Sequence, residues 1–170
     1  MLVKYTYAQY IRGLKIVHLA ITMSQIILIG LIFGLNSENT ILIDKNFANN
    51  LYIIVPAAVL MLILTGRITY QQQLKKMLKQ TDIKKKLTGF RTIHIIQIAF
   101  IEAAGLVCFI ASFLSKNLLF VYGCGLLIIY LLTLIPSKKK LEKELQLDYN
   151  ALNEIEKPDF YLEMNTSDSV

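Results

Sequence analysis

Four long apolar runs, at 16–35, 51–66, 92–114 and 118–135, constrain this chain more than any other feature it has. A helix needs about 17–25 predominantly apolar residues to cross the hydrocarbon of a bilayer. The second run is slightly short, but Asn50 and Arg67 flank it, and an arginine can snorkel its guanidinium to the headgroups. With 55% hydrophobic residues among 170, the composition is too apolar for an ordinary water-soluble domain. The expected fold class is all-α: a four-helix transmembrane bundle with cytoplasmic helical extensions, its spans at about 14–35, 51–68, 92–114 and 118–135.

The distribution of charge orients the spans. The net charge is +6, and the basic residues gather at three places on one side: Lys4, Arg12 and Lys15; Arg67 through Arg91; and Lys138, Lys139, Lys140 and Lys143. The two opposite loops hold only Lys45 and Lys116. The positive-inside rule then places both termini and the central loop in the cytoplasm, in a bacterial inner membrane. Bases placed this way are a membrane signature, and no nucleic-acid partner is expected. The first run is too long for a signal-peptide core and no small-x-small site follows it, so it reads as a retained span.

Outside the spans the chain reads as helix. The segment 69–91 is expected to form a helical hairpin broken at Thr81, with Asp82 as N-cap and an apolar seam of Leu74, Met77 and Leu78 against Ile83, Leu87 and Phe90. Its Lys75, Lys76, Lys84, Lys85 and Lys86 are candidate contacts for anionic lipid, because a cation beside an acidic membrane gains about 1 kcal/mol. Pro136 ends the fourth span, after which Ser137 and Asp148 can cap two short helices. The membrane domain is taken as 1–146. The acidic remainder, 147–170, holds six acids and one lysine; it is expected to be a solvated tail, without structure after Pro158. The outer loop at 36–50 carries an apolar patch at 41–43 that can touch the interface.

The two halves resemble each other. Arg12, Ile16, Ala20 and Leu35 align with Arg91, Ile95, Ala99 and Leu114, and ITYQQQLKKML aligns with IPSKKKLEKEL. A tandem duplication of a two-helix hairpin gives this pattern, and both copies then share one orientation, with the first and third helices parallel at similar depth.

That alignment gives a setting to the one acid inside a span, Glu102. A charged side chain at mid-membrane costs about 3 kcal/mol on insertion scales, so Glu102 is expected to face other helices and to have a partner. The first helix carries a polar stripe, Lys15, His18, Thr22 and Gln25, on one helical face. The alignment sets Glu102 against Met23, beside Thr22, Ser24 and Gln25. The candidate intramembrane polar cluster is therefore Glu102, Gln25, Ser24, Thr22 and His18. Ala99, Ala103, Ala104, Gly105 and Cys108 supply small-xxx-small spacings around it. Glu102 can be a hydrogen-bonded clamp between helices, a proton or cation site, or a contact to another subunit.

There is no phosphate-binding glycine loop, HExxH, zinc-spaced cysteine pair or Ser-His-acid set. No enzyme activity, metal or cofactor is expected. His18 and His94 lie on the two helices where a bis-histidine haem can be held. However, the alignment matches His94 to Lys15, about one helical turn away in depth, and His94 is expected at the membrane interface. Cys108 and Cys124 fall at matching depth and read as small packing residues rather than a disulfide.

Two resemblances accompany these readings. AFIEAAGLVCFIASFL is similar over about sixteen residues to the carboxylate helix of rotary ATPase proteolipid subunits, through Glu102, Ala103, Gly105, Leu106 and Ile110. Over most of its length the chain resembles small four-helix membrane proteins of Bacteroidota that have no assigned function, although their glycine-proline step after the acid is Ala103-Ala104 here. The resemblance implies the topology and an acid at position 102. The resulting expectation is a non-enzymatic accessory or interaction subunit, with the bilayer and other membrane subunits or further copies of itself as partners. The alternative is a proton, ion or small-solute transport component using Glu102.

Overall fold

The structure is a computed structural model that describes residues 2–35, 44–155, 157 and 160–165. A short strand β1 (Leu2–Tyr5) leads into α1 (Tyr7–Leu35), α2 (Lys45–Leu78) and α3 (Ile83–Ser115). The shorter α4 (Leu119–Thr133), α5 (Lys138–Glu144) and α6 (Tyr149–Ile155) follow, and the chain returns to pair β2 (Leu162–Asn165) antiparallel with β1. The apolar patch at 41–43 lies outside the described residues.

Three helices, α1 to α3, are long and apolar enough to cross a membrane, and α4 with α5 makes a fourth only as a pair bent by 79°. The 34 residues of α2 span about 51 Å at 1.5 Å per residue, well beyond the roughly 30 Å of bilayer hydrocarbon. It is therefore long enough to cross and to project beyond, as is α3, and the ends of the two helices on either side of Asp82 form the expected hairpin. Asp82 turns the chain between them by accepting bonds from Lys84 N (2.9 Å) and Lys85 N (3.5 Å). Close approach of the arms depends on Gly89, where a Cβ would collide with the Met77 thioether. Ser137 and Asp148 start α5 and α6 in the same way, accepting from Lys140 N and Ala151 N.

The helix α3 is central and packs against α1, α2 and α4, while α1 also packs against α4. Burial follows from this arrangement. Large apolar side chains stay exposed around the rim, among them Ile27 and Phe33 on α1, Ile53 and Met61 on α2, and Leu126 and Ile129 on α4. A belt of this size would drive association in water and is at home in lipid. Within it one core joins Leu51, Val55, Ile101, Ala104, Cys108, Phe120 and Leu127.

A second core lies beyond the span region and corrects the expected tail. The hairpin seam of Met77, Leu87 and Phe90 is covered by Tyr7, Tyr10 and Leu14 of α1 and by Leu141, Leu145, Ile155, Phe160 and Leu162 from the C-terminal segment. Residues 147–165 are thus largely part of a packed lobe, and the segment expected to lack structure contributes β2. The buried Ile155, Phe160 and Leu162 of 147–165 outweigh its acidic composition, since each is worth about 1.5–3 kcal/mol. The remainder of that tail, 166–170, is outside the described residues.

Candidate functional site

Polar side chains form a seam along α1 and α3 that runs from the lobe into the apolar belt. Tyr10 donates to the Leu87 carbonyl (2.6 Å), His18 Nδ1 meets His94 Nε2 (3.2 Å), Gln25 Nε2 donates to the Ile101 carbonyl (3.3 Å), and Ser24 Oγ reaches Glu102 Oε1 (2.8 Å). The partners are separated by 77, 76, 76 and 78 residues respectively. A nearly constant offset, 76 to 78 over about four turns, means that the helices run parallel in register.

Ser24 has a single proton and two neighbours, because its Oγ is also 2.7 Å from the Ile21 carbonyl. A carbonyl can only accept. When Glu102 is ionised the hydroxyl can turn to it; when Glu102 is protonated the acid can donate to Oγ while Ser24 bonds Ile21. The half-buried Glu102 thus has a partner in both states. Gln25 lies beside this pair at 2% exposure, held where Gly105 leaves room; a Cβ on Gly105 would stand 2.5 Å from Gln25 Nε2. Gln25 Oε1 has no hydrogen-bond partner among the described residues. Thr22 is buried but bonds within its own helix, to the His18 carbonyl (3.0 Å).

His18 does something the sequence reading did not anticipate. Its Nε2 is 3.0 Å from the Leu131 carbonyl at the end of α4. Pro136 has no N–H for the Leu132 carbonyl, so Ile135 N turns to Leu132 (3.5 Å), and Leu131 is left to Leu134 N (2.8 Å) and to His18. Lys140 Nζ bonds the next exposed carbonyl, Leu134, at 3.4 Å. Side chains from α1 and α5 thereby satisfy a helix end that stops inside the protein. Since the Leu131 carbonyl cannot donate, His18 Nε2 carries a proton; in neutral His18, Nδ1 is then the acceptor and His94 Nε2–H donates to it.

His94 is buried against His18 (ring centroids 5.3 Å) and Phe90 (6.0 Å) and faces into the protein. The one-turn difference in depth disappears because the contact offset is 76, whereas the alignment sets Arg12 against Arg91, a difference of 79. Two axial metal–nitrogen bonds of about 2 Å would hold the ring nitrogens about 4 Å apart across a porphyrin. The direct His18–His94 bond leaves no such space. Among the described residues no group of three or more His, Cys, Asp or Glu could hold a metal ion.

The remaining predicted positions lie elsewhere. Lys75, Lys76, Lys84 and Lys85 are exposed on the hairpin arms and Lys86 is half-buried; Lys84 Nζ sits over the Phe160 ring at 5.7 Å. Cys108 and Cys124 are free and buried, with Cys124 Sγ donating to the Gly105 carbonyl (3.5 Å). Sequence reasoning thus named His18, Thr22, Ser24, Gln25 and Glu102, and missed the roles of His94, Tyr10 and the Leu131 carbonyl. The available signal was Pro136, which announces unsatisfied carbonyls one turn earlier. No protein-family model, curated protein or solved structure matches this chain.

Proposed function

We propose that this chain is a non-enzymatic accessory or interaction subunit of the bacterial inner membrane, with four spans bundled as a duplicated hairpin and its lobe and both termini in the cytoplasm. The observation that carries the reading is that the polar groups of the span region bond to one another. Ser24–Glu102, Gln25–Ile101 and His94–His18–Leu131 tie three helices together. A set of interhelical bonds like this serves as a lock, each bond contributing about 0.6–2 kcal/mol in a membrane. The parallel register of α1 and α3 supports the duplication. The exposed Lys75, Lys76, Lys84 and Lys85 make the lobe the docking face, for a second subunit or for acidic headgroups.

The test is purification of the full chain in mild detergent, with and without the four lysines changed to Glu. A partner or a further copy that co-purifies with the wild type and is lost from the folded variant supports the reading. A chain that stays monomeric and partner-free, before and after crosslinking in the membrane, refutes it. A second reading, proton handling, is favoured by the capacity of the Ser24–Glu102 pair to bond in either protonation state. Glu102→Gln keeps a hydrogen bond but cannot titrate. Loss of pH-driven ion flux in liposomes, with unfolding unchanged, would establish this second reading over the lock.

A further inference from the structure

The helices α2 and α4 both pack on α3, yet they leave a cleft between them. At the end nearest the α3–α4 turn they meet, where the Tyr52 ring lies tilted against Phe120 with centroids 5.7 Å apart and Asn117 donates to the Tyr52 hydroxyl. From there to Arg67 runs an open groove of about 630 Å³, with Val55, Val59 and Ile63 on one wall, Leu126 and Leu127 on the other and Cys108 at the floor. Its lining is apolar except at the ends. At the lobe end stands Arg67, exposed, with no hydrogen bond or ion pair among the described residues.

We propose that this groove binds one acyl chain of a phospholipid whose acidic headgroup is held by Arg67. Size argues for the chain. The fifteen steps from Tyr52 to Arg67 rise about 22 Å, so the 630 Å³ corresponds to a mean section of about 30 Å². A helix with side chains is about 10–12 Å across, a section of about 80–110 Å², and could only lie over the mouth of the groove. A single alkyl chain enters it. Charge argues for the headgroup: a guanidinium offers a planar fork of donors that matches a phosphodiester, and it lies at the level where α2 leaves the apolar belt. The groove is lined by none of the side chains of the polar seam and does not depend on the function proposed above.

The full chain would be reconstituted in nanodiscs containing equal amounts of phosphatidylglycerol and phosphatidylcholine with matched acyl chains. Retained lipid is then counted by native mass spectrometry after ejection. The expected result is one retained lipid per chain, phosphatidylglycerol favoured at least fivefold. Arg67→Gln should keep the single lipid but bring that ratio near one. Val59→Trp, which fills the groove, should lower retention of both lipids at least fivefold. Leu126→Trp, on the exposed rim, repeats the test should the first filling variant lose helicity by circular dichroism. The proposal is overturned by equal retention of the two lipids in the wild type, by a headgroup preference that survives Arg67→Gln, or by filling variants that retain lipid. It is equally overturned if the chain emerges as a lipid-free dimer that the filling variants dissociate, since a second copy would then be the occupant.

Discussion

At the scale of single residues, the interior polar groups are arranged around helix ends and close helix approach. His18 is fully buried and bonds to both His94 and the Leu131 carbonyl. Removing it leaves a cavity and strands two buried groups. His18→Ala is expected to lower stability by about 2–4 kcal/mol, from lost packing and unsatisfied polar atoms together. Thermal unfolding in detergent should show it, with a smaller loss for Asn, which can still donate. Gly105 is coupled to Gln25 by contact. Gly105→Ala should displace the amide and cost about 1–3 kcal/mol by overpacking, whereas in a Gln25→Ala background the added methyl should cost far less. A double-mutant cycle reads that difference directly, and additive losses would contradict the contact.

At the scale of elements, caps and breakers decide where helices start and stop. Asp82 accepts two backbone bonds at the start of α3, and Asp82→Ala is expected to cost about 1 kcal/mol. The loss should appear as faster amide exchange over the first turn of α3, with the span region unchanged. Pro136 has the opposite role. It stops α4 after 15 residues, about 22 Å, which is short of the bilayer hydrocarbon. The bend into α5 then directs Leu141 and Leu145 into the lobe and places Lys140 on the Leu134 carbonyl. One residue therefore both shortens the fourth helix and supplies the covering of the hairpin.

At the scale of the molecule, two cores are stacked along α3, one among apolar helices within the exposed belt and one in the lobe. The lobe is closed by the two chain ends through β1 and β2. Deleting 160–170 removes Phe160 and Leu162 from the lobe core, and should cost about 3–6 kcal/mol on the usual burial scale. Hydrogen exchange should then show protection lost at β1 and at the seam around Leu87, while the span region stays protected; loss everywhere would mean that the two cores are one cooperative unit. Much of this was legible in the sequence because its signals are local. Apolar runs, Asp82, Ser137, Asp148 and Pro136 each act within one element. The duplicated pattern brought Glu102 to within a few residues of Ser24. What only the tertiary structure decided were contacts between segments far apart: His18 with His94 and α4, and the C-terminal apolar residues on the hairpin. His18 lies 76 and 113 positions from its two partners along the chain. The acidic composition around Ile155, Phe160 and Leu162 concealed how much apolar surface they bury, which only the waiting hairpin seam made favourable.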